Sequence, residues 1–199
     1  MLKSNSFIFG IDEAGRGPLA GPVAVGVVKI KSNFPKDFFK GIKDSKQLNR
    51  SERELWYSLA KEAKKKGDLD FTVSLVSQKV IDRHGISYAI ALGIKRALKR
   101  LEANISEAIF LDGSLKAPKE FLHQTTIIKG DEKMPIISLA SICAKVRRDG
   151  LLRRWGKLYP DFGFEIHKGY GTKAHIEILK KMGPTPLHRL SFISSLTRK

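Results

Sequence analysis

A mixed α/β sheet with helices on both faces is the fold class this sequence predicts. Three observations predict it. Apolar runs rich in Val, Ile and Phe come first and then alternate with helical patterns, as strands packed between helices require. A turn of Gly, Arg and Pro over 15–22 joins the first two runs, which reads as a strand pair. Two later short apolar runs lead to a glycine and a carboxylate, and a long helical pattern follows over 134–158.

The elements follow in order. Strands are expected near 6–13 and 22–30, and 34–48 is loop-like. Asn49 or Ser51 caps a helix through Glu54, Leu55, Leu59 and Ala63, with Gly67 as its stop. Phe71 to Val76 alternates as a third strand, and 77–82 suits a short helical turn. Residues 87–101 carry Ile90, Ile94, Leu98 and Leu101 on one stripe of a helix. Residues 108–112 form a short buried strand ending in Asp112 and Gly113, and 125–131 repeats that pattern with Gly130 and Asp131. The tail alternates turns with short helices, one closed by Gly183-Pro184. Residues 1–158 are expected to form the main domain, with 159–199 as a C-terminal helical appendage.

At 199 residues, one domain is expected, and folding can bury roughly 70% of the unfolded surface. The single cysteine, Cys143, excludes an internal disulfide and suits a reducing compartment. In its small-residue helical segment it reads as a packed thiol. The first six residues lack a signal-peptide core, and no apolar run reaches the roughly 18 residues of a membrane span. A soluble, cytoplasmic protein with no membrane partner is expected. The net charge of +17 and pI near 10.0 suggest a polyanionic partner, nucleic acid first. A generically basic proteome is the bland alternative.

The chemistry gathers at strand ends. In open α/β sheets ligand sites lie beyond them, and three runs lead there to Asp12-Glu13, Asp112 and Asp131. Singly, Asp112-Gly113 reads equally as a turn and Asp131 as a helix cap. Jointly they are hard to ascribe to capping. Two unit charges about 4 Å apart repel by roughly 4 kcal/mol at an effective dielectric of 20. Cations would relieve that repulsion, and oxygen-only ligands favour Mg²⁺ or Mn²⁺ over zinc. Two such ions about 3.5–4 Å apart can activate a water and stabilise the leaving oxygen of a phosphodiester. Successive strand side chains point to opposite faces, so Asp12 and Glu13 share a site only if the pleat breaks between them. Gly15 and Gly17 make that break plausible, with Asp12 as the bridging ligand.

Other motifs carry less. Gly15-Arg16-Gly17-Pro18-Leu19-Ala20 fits a dinucleotide fingerprint, but Pro22 and the β-branched run 23–28 follow where that fingerprint needs a helix. His84, His123, His167, His175 and His188 form no metal-binding pattern, and exposed or substrate-contacting roles are expected. On the long helix, Ala140, Ser141 and Ala144 permit close packing. Lys145, Arg147, Arg148, Arg153 and Arg154 supply charge, and Asp149 reads as an intrahelical partner. Tyr170, between two glycines and beside cations, is expected on an exposed loop where it could stack on a sugar or base. A core aromatic is the alternative.

These residues resemble one family, ribonuclease HII, over nearly the whole chain. The carrying pieces are Gly10-Ile11-Asp12-Glu13-Ala14-Gly15-Arg16-Gly17-Pro18-Leu19-Ala20-Gly21-Pro22, Asp44-Ser45-Lys46, Leu111-Asp112-Gly113 and Lys129-Gly130-Asp131. Ala144-Lys145-Val146, Arg148-Asp149, His167-Lys168-Gly169-Tyr170-Gly171-Thr172 and His188-Arg189 complete them. The resemblance implies a ribonuclease H-like fold with a C-terminal helical appendage. It implies an endonuclease cutting RNA in RNA–DNA hybrids and at single ribonucleotides in DNA, leaving 3′-hydroxyl and 5′-phosphate ends. Ribonucleotide removal and RNA primer removal follow from that. Asp12, Glu13, Asp112 and Asp131 would be the catalytic and metal-binding carboxylates. Gly15, Arg16 and Gly17 would contact the 2′-hydroxyl and backbone at the junction, Tyr170 would stack on the next deoxyribose, and Lys46 would hold a phosphate. A monomer is expected, and a replication clamp is a partner that the residues neither require nor exclude. Gly150, inside the long helix, should weaken or bend it. Leu139 and Cys143 stand where small residues are usual in the family. The sister family, ribonuclease HIII, is the alternative; it usually has Lys where Arg16 stands and carries an extra N-terminal domain.

Overall fold

The computed structural model describes residues 6–196. Residues 1–5, where no signal-peptide core was found in the sequence, and 197–199, the end of the appendage, lie outside the described residues.

Five strands form one mixed sheet in the order β3-β2-β1-β4-β5. Strands β1 (Phe7–Ala14), β2 (Val23–Lys31) and β3 (Leu69–Val76) run antiparallel as a meander. Strands β4 (Ala108–Asp112) and β5 (Gln124–Ile127) lie parallel to β1. The strand at β2, directly after the glycine turn, rules out the helix a dinucleotide site needs.

Helix α1 (Arg50–Lys66) starts at Asn49, whose side chain accepts from the Glu52 amide while the Glu52 carboxylate accepts from the Asn49 amide. That reciprocal cap satisfies two of the four free amides of a helix start. Helix α2 (Gln78–His84) leads into α3 (Ile86–Arg100). Its stripe of Ile90, Ile94 and Leu98 buries against Phe9, Ile11, Val25 and Val27 on one sheet face. The opposite face is covered by α1 and by α5 (Pro135–Leu158).

Close approach of α5 is set by two glycines. A side chain at Gly10 would come within 2.7 Å of the Ile136 backbone, and one at Gly26 would overlap the Ala140 carbonyl. Only hydrogen fits, so α5 lies directly on β1 and β2, and Leu139 and Cys143 are fully buried there. Helix α5 continues through Gly150 without interruption, so the expected weak point does not end it; packing outweighs the propensity cost of about 1 kcal/mol.

After α5 the chain makes a 3₁₀ turn (Pro160–Phe162) and three short helices: α6 (Phe164–His167), α7 (Lys173–Met182) and α8 (Leu190–Ile193). A further helical turn, α4 (Gly130–Lys133), sits between β5 and α5. The C-terminal segment folds back on the glycine turn. Phe162, Phe164 and Leu187 pack with Ala20 and Leu152, and the Gly21 amide donates to Leu187 at 2.8 Å. Among the described residues no helix is long and apolar enough to cross a membrane.

Candidate metal centre and nucleic-acid face

Parallel pairing of β1 with β4 places Ile11 beside Leu111, so Asp12 and Asp112 emerge together at the carboxyl ends of adjacent strands. Both project toward α5. Asp131 arrives differently from the sequence prediction. Strand β5 stops at Ile127, Lys129 turns the chain with φ of 55°, and Asp131 stands on α4. The Gly130 amide donates to Asp112 Oδ1 at 2.6 Å, and Ser138 Oγ donates to the Asp131 carbonyl at 2.6 Å. One oxygen each from Asp12, Asp112 and Asp131 lies within 4.8 Å of the others.

Glu13 is not among these three, although its carboxyl comes within hydrogen-bond reach of Asp12. The predicted pleat break is absent: Asp12 faces Gly26, Glu13 faces Val25 and Ala14 faces Ala24 in unbroken register. Glu13 therefore projects to the α3 side, where Oε1 pairs with Arg16 Nε at 3.0 Å. Its carboxyl still couples to Asp12 and Asp112 around the strand end.

Electrostatics fit a cation. Burial, then the charges of Glu13 and Asp112, holds the Asp12 carboxyl well above its usual range, while hydrogen bonds from Ser141 and the Glu13 amide pull it back. Burial also raises Glu13, opposed by Arg16. An ionised Asp12 can only accept, so Ser141 donates to it, and Ser45, 2.8 Å from Ser141, donates in turn. The donor set is all oxygen, which suits a hard divalent ion. Lys46 Nζ lies 3.1 Å from Asp131 Oδ2 at the rim, with its side chain 79% exposed. Asp44 is a neighbour the sequence reading left unused. Its oxygens approach Asp131 and Glu132 within 4.8 Å, and its Oδ1 accepts the Lys46 amide at 3.0 Å. The sequence signal for it is Asp44-Ser45-Lys46, in which the resemblance gives a role to the lysine alone.

Two arginines shape the glycine turn. Arg189 is fully buried and donates to the carbonyls of Gly15 (2.6 Å), Arg16 (2.8 Å) and Gly21 (2.9 Å). Arg148 is also fully buried and donates to Pro22 (2.9 Å), Ala20 (3.0 Å) and Lys168 (3.0 Å). This corrects the reading of Arg148 as surface charge. Burial lowers both guanidiniums, Arg189 to about 9, so it stays protonated at neutral pH. With its carbonyls turned inward, the turn exposes Arg16 and Gly17. Their amides donate to no acceptor among the described residues. No periodicity or spacing distinguishes these arginines from solvated ones.

Tyr170 is 42% exposed, with Lys145 Nζ 5.7 Å and the Arg148 guanidinium 5.9 Å from its ring centre. Lys145 pairs with Asp149 at 3.0 Å, as an intrahelical partner should. Arg50, Arg53, Arg153 and Lys168 line a cleft beside them. The histidines divide. His84 and His123 are exposed, whereas His175 and His188 are buried and His167 partly so. The expectation of exposed or substrate-contacting histidines is thus corrected for these three, which pack in an aromatic cluster. Cys143 is a buried thiol whose pKa burial pushes up.

The chain is similar to known proteins over nearly its whole length. A family model described as Ribonuclease HII matches residues 9–195. A ribonuclease HII of Endomicrobium trichonymphae is 45% identical over 93% of this chain and 84% of its own length. One from Caldicellulosiruptor bescii is 43% identical over 96% of this chain and 88% of its own. The Archaeoglobus fulgidus RNase HII solved in complex with PCNA superposes with a TM-score of 0.75 at 28% identity, covering 96% of this chain and 97% of that one.

Proposed function

The chain belongs to the ribonuclease HII family and is a ribonuclease H acting on the RNA strand of RNA–DNA hybrids; from that premise we propose that it also incises duplex DNA 5′ of single embedded ribonucleotides. The products carry 3′-hydroxyl and 5′-phosphate ends, which suits ribonucleotide and primer removal. The observation that carries this reading is the convergence of Asp12, Asp112 and Asp131 beside a turn that exposes Arg16 and Gly17.

Asp12, Glu13, Asp112 and Asp131 would hold divalent metal, Mg²⁺ or Mn²⁺, with room proposed for two ions. Such ions supply a Lewis acid for the phosphoryl oxygen and lower the pKa of water. The protein's own residues do the rest. Ser45 and Ser141 orient Asp12 through one line of hydrogen bonds. Lys46, exposed at the rim, takes a phosphate oxygen. The free amides of Arg16 and Gly17 donate to the ribose 2′-hydroxyl and the adjoining backbone, a test only RNA passes. Arg189 keeps that turn from relaxing. Tyr170 stacks on the following deoxyribose. The cations around Lys145 neutralise phosphates, each contact steepening the fall of log K with log salt by about 0.9.

On this reading, residues 1–158 carry the chemistry and 159–199 complete the substrate site, with the enzyme acting as a cytoplasmic monomer. Three duplexes incubated with Mg²⁺ or Mn²⁺ test it: all DNA, an RNA–DNA hybrid, and DNA with one ribonucleotide. Cleavage of the last two alone is expected. Cutting of the all-DNA duplex would overturn the reading, as would an intact single-ribonucleotide duplex, the result a hybrid-only nuclease of the HIII type gives.

A further inference from the structure

Behind Tyr170 two imidazoles form a chain, with a third stacked on it, and the geometry fixes their proton positions. His188 Nδ1 lies 2.9 Å from the Thr185 amide. An amide only donates, so this nitrogen is bare and Nε2 carries the proton. His188 Nε2 is 3.0 Å from His175 Nε2, which must therefore accept. His175 Nδ1 then carries the proton it donates to the Tyr170 carbonyl at 2.8 Å. The chain runs one way, from the Thr185 amide through His188 and His175 to Tyr170. His167 stacks on His175 with ring centres 4.1 Å apart. Its Nδ1 accepts the Gly169 amide at 3.1 Å, and its Nε2 donates to Phe162 at 2.5 Å.

All three rings are neutral in this arrangement, and every nitrogen that could take another proton already faces a donor. A proton on His175 Nε2 would meet His188 N–H. One on His167 would meet the Gly169 amide. One on His188 could turn to Thr185 Oγ1, 3.0 Å away, but would still face the Thr185 amide. We propose that His175 and His188 are positioning residues for Tyr170, and that protonating their chain frees the Tyr170 loop, so that discrimination at the junction weakens in acid.

The loop's other ties are to backbone and to one arginine. Gly169 accepts from the Leu19 and Ala20 amides, Lys168 accepts from Arg148, and the Tyr170 amide donates to the His167 carbonyl at 2.9 Å. The Tyr170 carbonyl itself is held by His175 and by the Thr172 amide at 2.9 Å. The charged groups bearing on the rings are Glu165 and Lys168 against His167, from α6 and its end, and the rings themselves. Tyr159 at the end of α5 reaches them only through Phe162 and Phe164. Arg189, next to His188 in sequence, points its guanidinium at Gly15, Arg16 and Gly21. Burial acts first on all three imidazoles and pulls each below its ordinary value, so the chain is neutral at neutral pH and charges only as acid is added.

This inference rests on the proposed role of Tyr170, so the test has two readouts on the full chain between about pH 8 and pH 4, which spans the titration of both rings. The first is amide hydrogen exchange over 168–172 in the metal-free protein, corrected for intrinsic rate. The second is the ratio of kcat/KM on single-ribonucleotide DNA to that on the hybrid, in which pH effects common to both substrates cancel. In the wild type both protection and ratio should fall together below about pH 6.5, the ratio by about two- to tenfold, the range of one net hydrogen bond. His175→Asn, which keeps a donor for Tyr170 but does not titrate, should hold both nearly flat. His175→Ala should lower both at every pH. Unchanged protection across the range, or a His175→Asn profile that follows the wild type, would overturn the proposal. If Tyr170→Ala leaves the ratio unaltered, the stacking role of Tyr170 fails by itself, and loop protection alone decides whether the histidines position it.

Discussion

Arg189 donates from Nη2 to the carbonyl oxygen of Gly15 at 2.6 Å, across 174 residues of sequence. A buried guanidinium normally answers to a carboxylate, because an unpaired buried charge costs several kcal/mol. Here three carbonyl dipoles and no acid receive it. The cost is accepted where the planar fork sets a backbone shape that a point charge cannot. Arg189→Lys should therefore destabilise the protein by about 2–4 kcal/mol, since one ammonium cannot reach three diverging carbonyls. Urea unfolding checks this as a lowered midpoint with unchanged slope. Cleavage should fall further than the folded fraction does, because the turn loses its shape.

The two glycines that flank Arg16 should respond oppositely. Gly15 has φ of 90°, and a side chain there would overlap Arg148 Nε and Cδ. Gly15→Ala combines left-handed strain with displacement of a buried arginine, and should cost about 3 kcal/mol or more. Gly17 has open space around it and no positive φ, so Gly17→Ala should change stability by less than about 0.5 kcal/mol. Any loss of cleavage in Gly17→Ala is then a substrate effect. Thermal unfolding beside cleavage of single-ribonucleotide DNA separates the cases; equal destabilisation by both would refute the packing argument.

Part of this arrangement is legible in the sequence and part is not. The sheet is legible because β-branched runs and glycine turns act locally. The helix α1 is legible because Asn49, Glu52 and Gly67 are local signals. Asp12 and Asp112 are legible because each ends an apolar run. Asp131 is read one element wrong: the left-handed Lys129, which converts a strand end into a helical turn, leaves no mark in composition. The pleat break fails for a related reason, since Glu13 reaches the rim from the other face without one. Arg148, Arg189, His175 and His188 are illegible as a class. The arginines bond backbone carbonyls 20 to 174 residues distant, and the two histidines bond each other across 13 residues; nothing in local pattern separates a buried cation from a solvated one.

Removing the charge on Asp12 should stabilise the metal-free protein. The residue is 4% exposed and its carboxyl is opposed by Glu13 and Asp112, so the ionised form is strained at neutral pH. Asp12→Asn keeps the shape and an acceptor for the Glu13 amide, and should raise stability by about 1 kcal/mol while abolishing cleavage. Divalent ions should reverse the order. Bound at a hundred times Kd they stabilise the wild type by about 2.7 kcal/mol, and the variant by much less. Unfolding midpoints with and without Mn²⁺ check both halves. A variant less stable than the metal-free wild type would show that Asp12 is needed for folding.

His188 gives the sign of the pH dependence of folding. Burial first, then neighbouring His175, lowers its pKa from 6.5 to about 4 in the folded protein. Between those values the unfolded chain binds the proton and the folded chain does not, so stability rises with pH. Its contribution is full above about pH 6.5 and is lost progressively as pH falls toward 4, reaching about 3 kcal/mol. Asp12 acts in the opposite sense, because its raised pKa favours the folded state in acid. The histidine effect is therefore read as a difference. His188→Gln can accept from Thr185 and donate to His175 without titrating, so its stability curve between pH 7 and about pH 4 should be flatter than the wild type's by that amount. Parallel curves would mean that His188 does not hold off its proton in the folded state, and the one-way chain to Tyr170 would lose its basis.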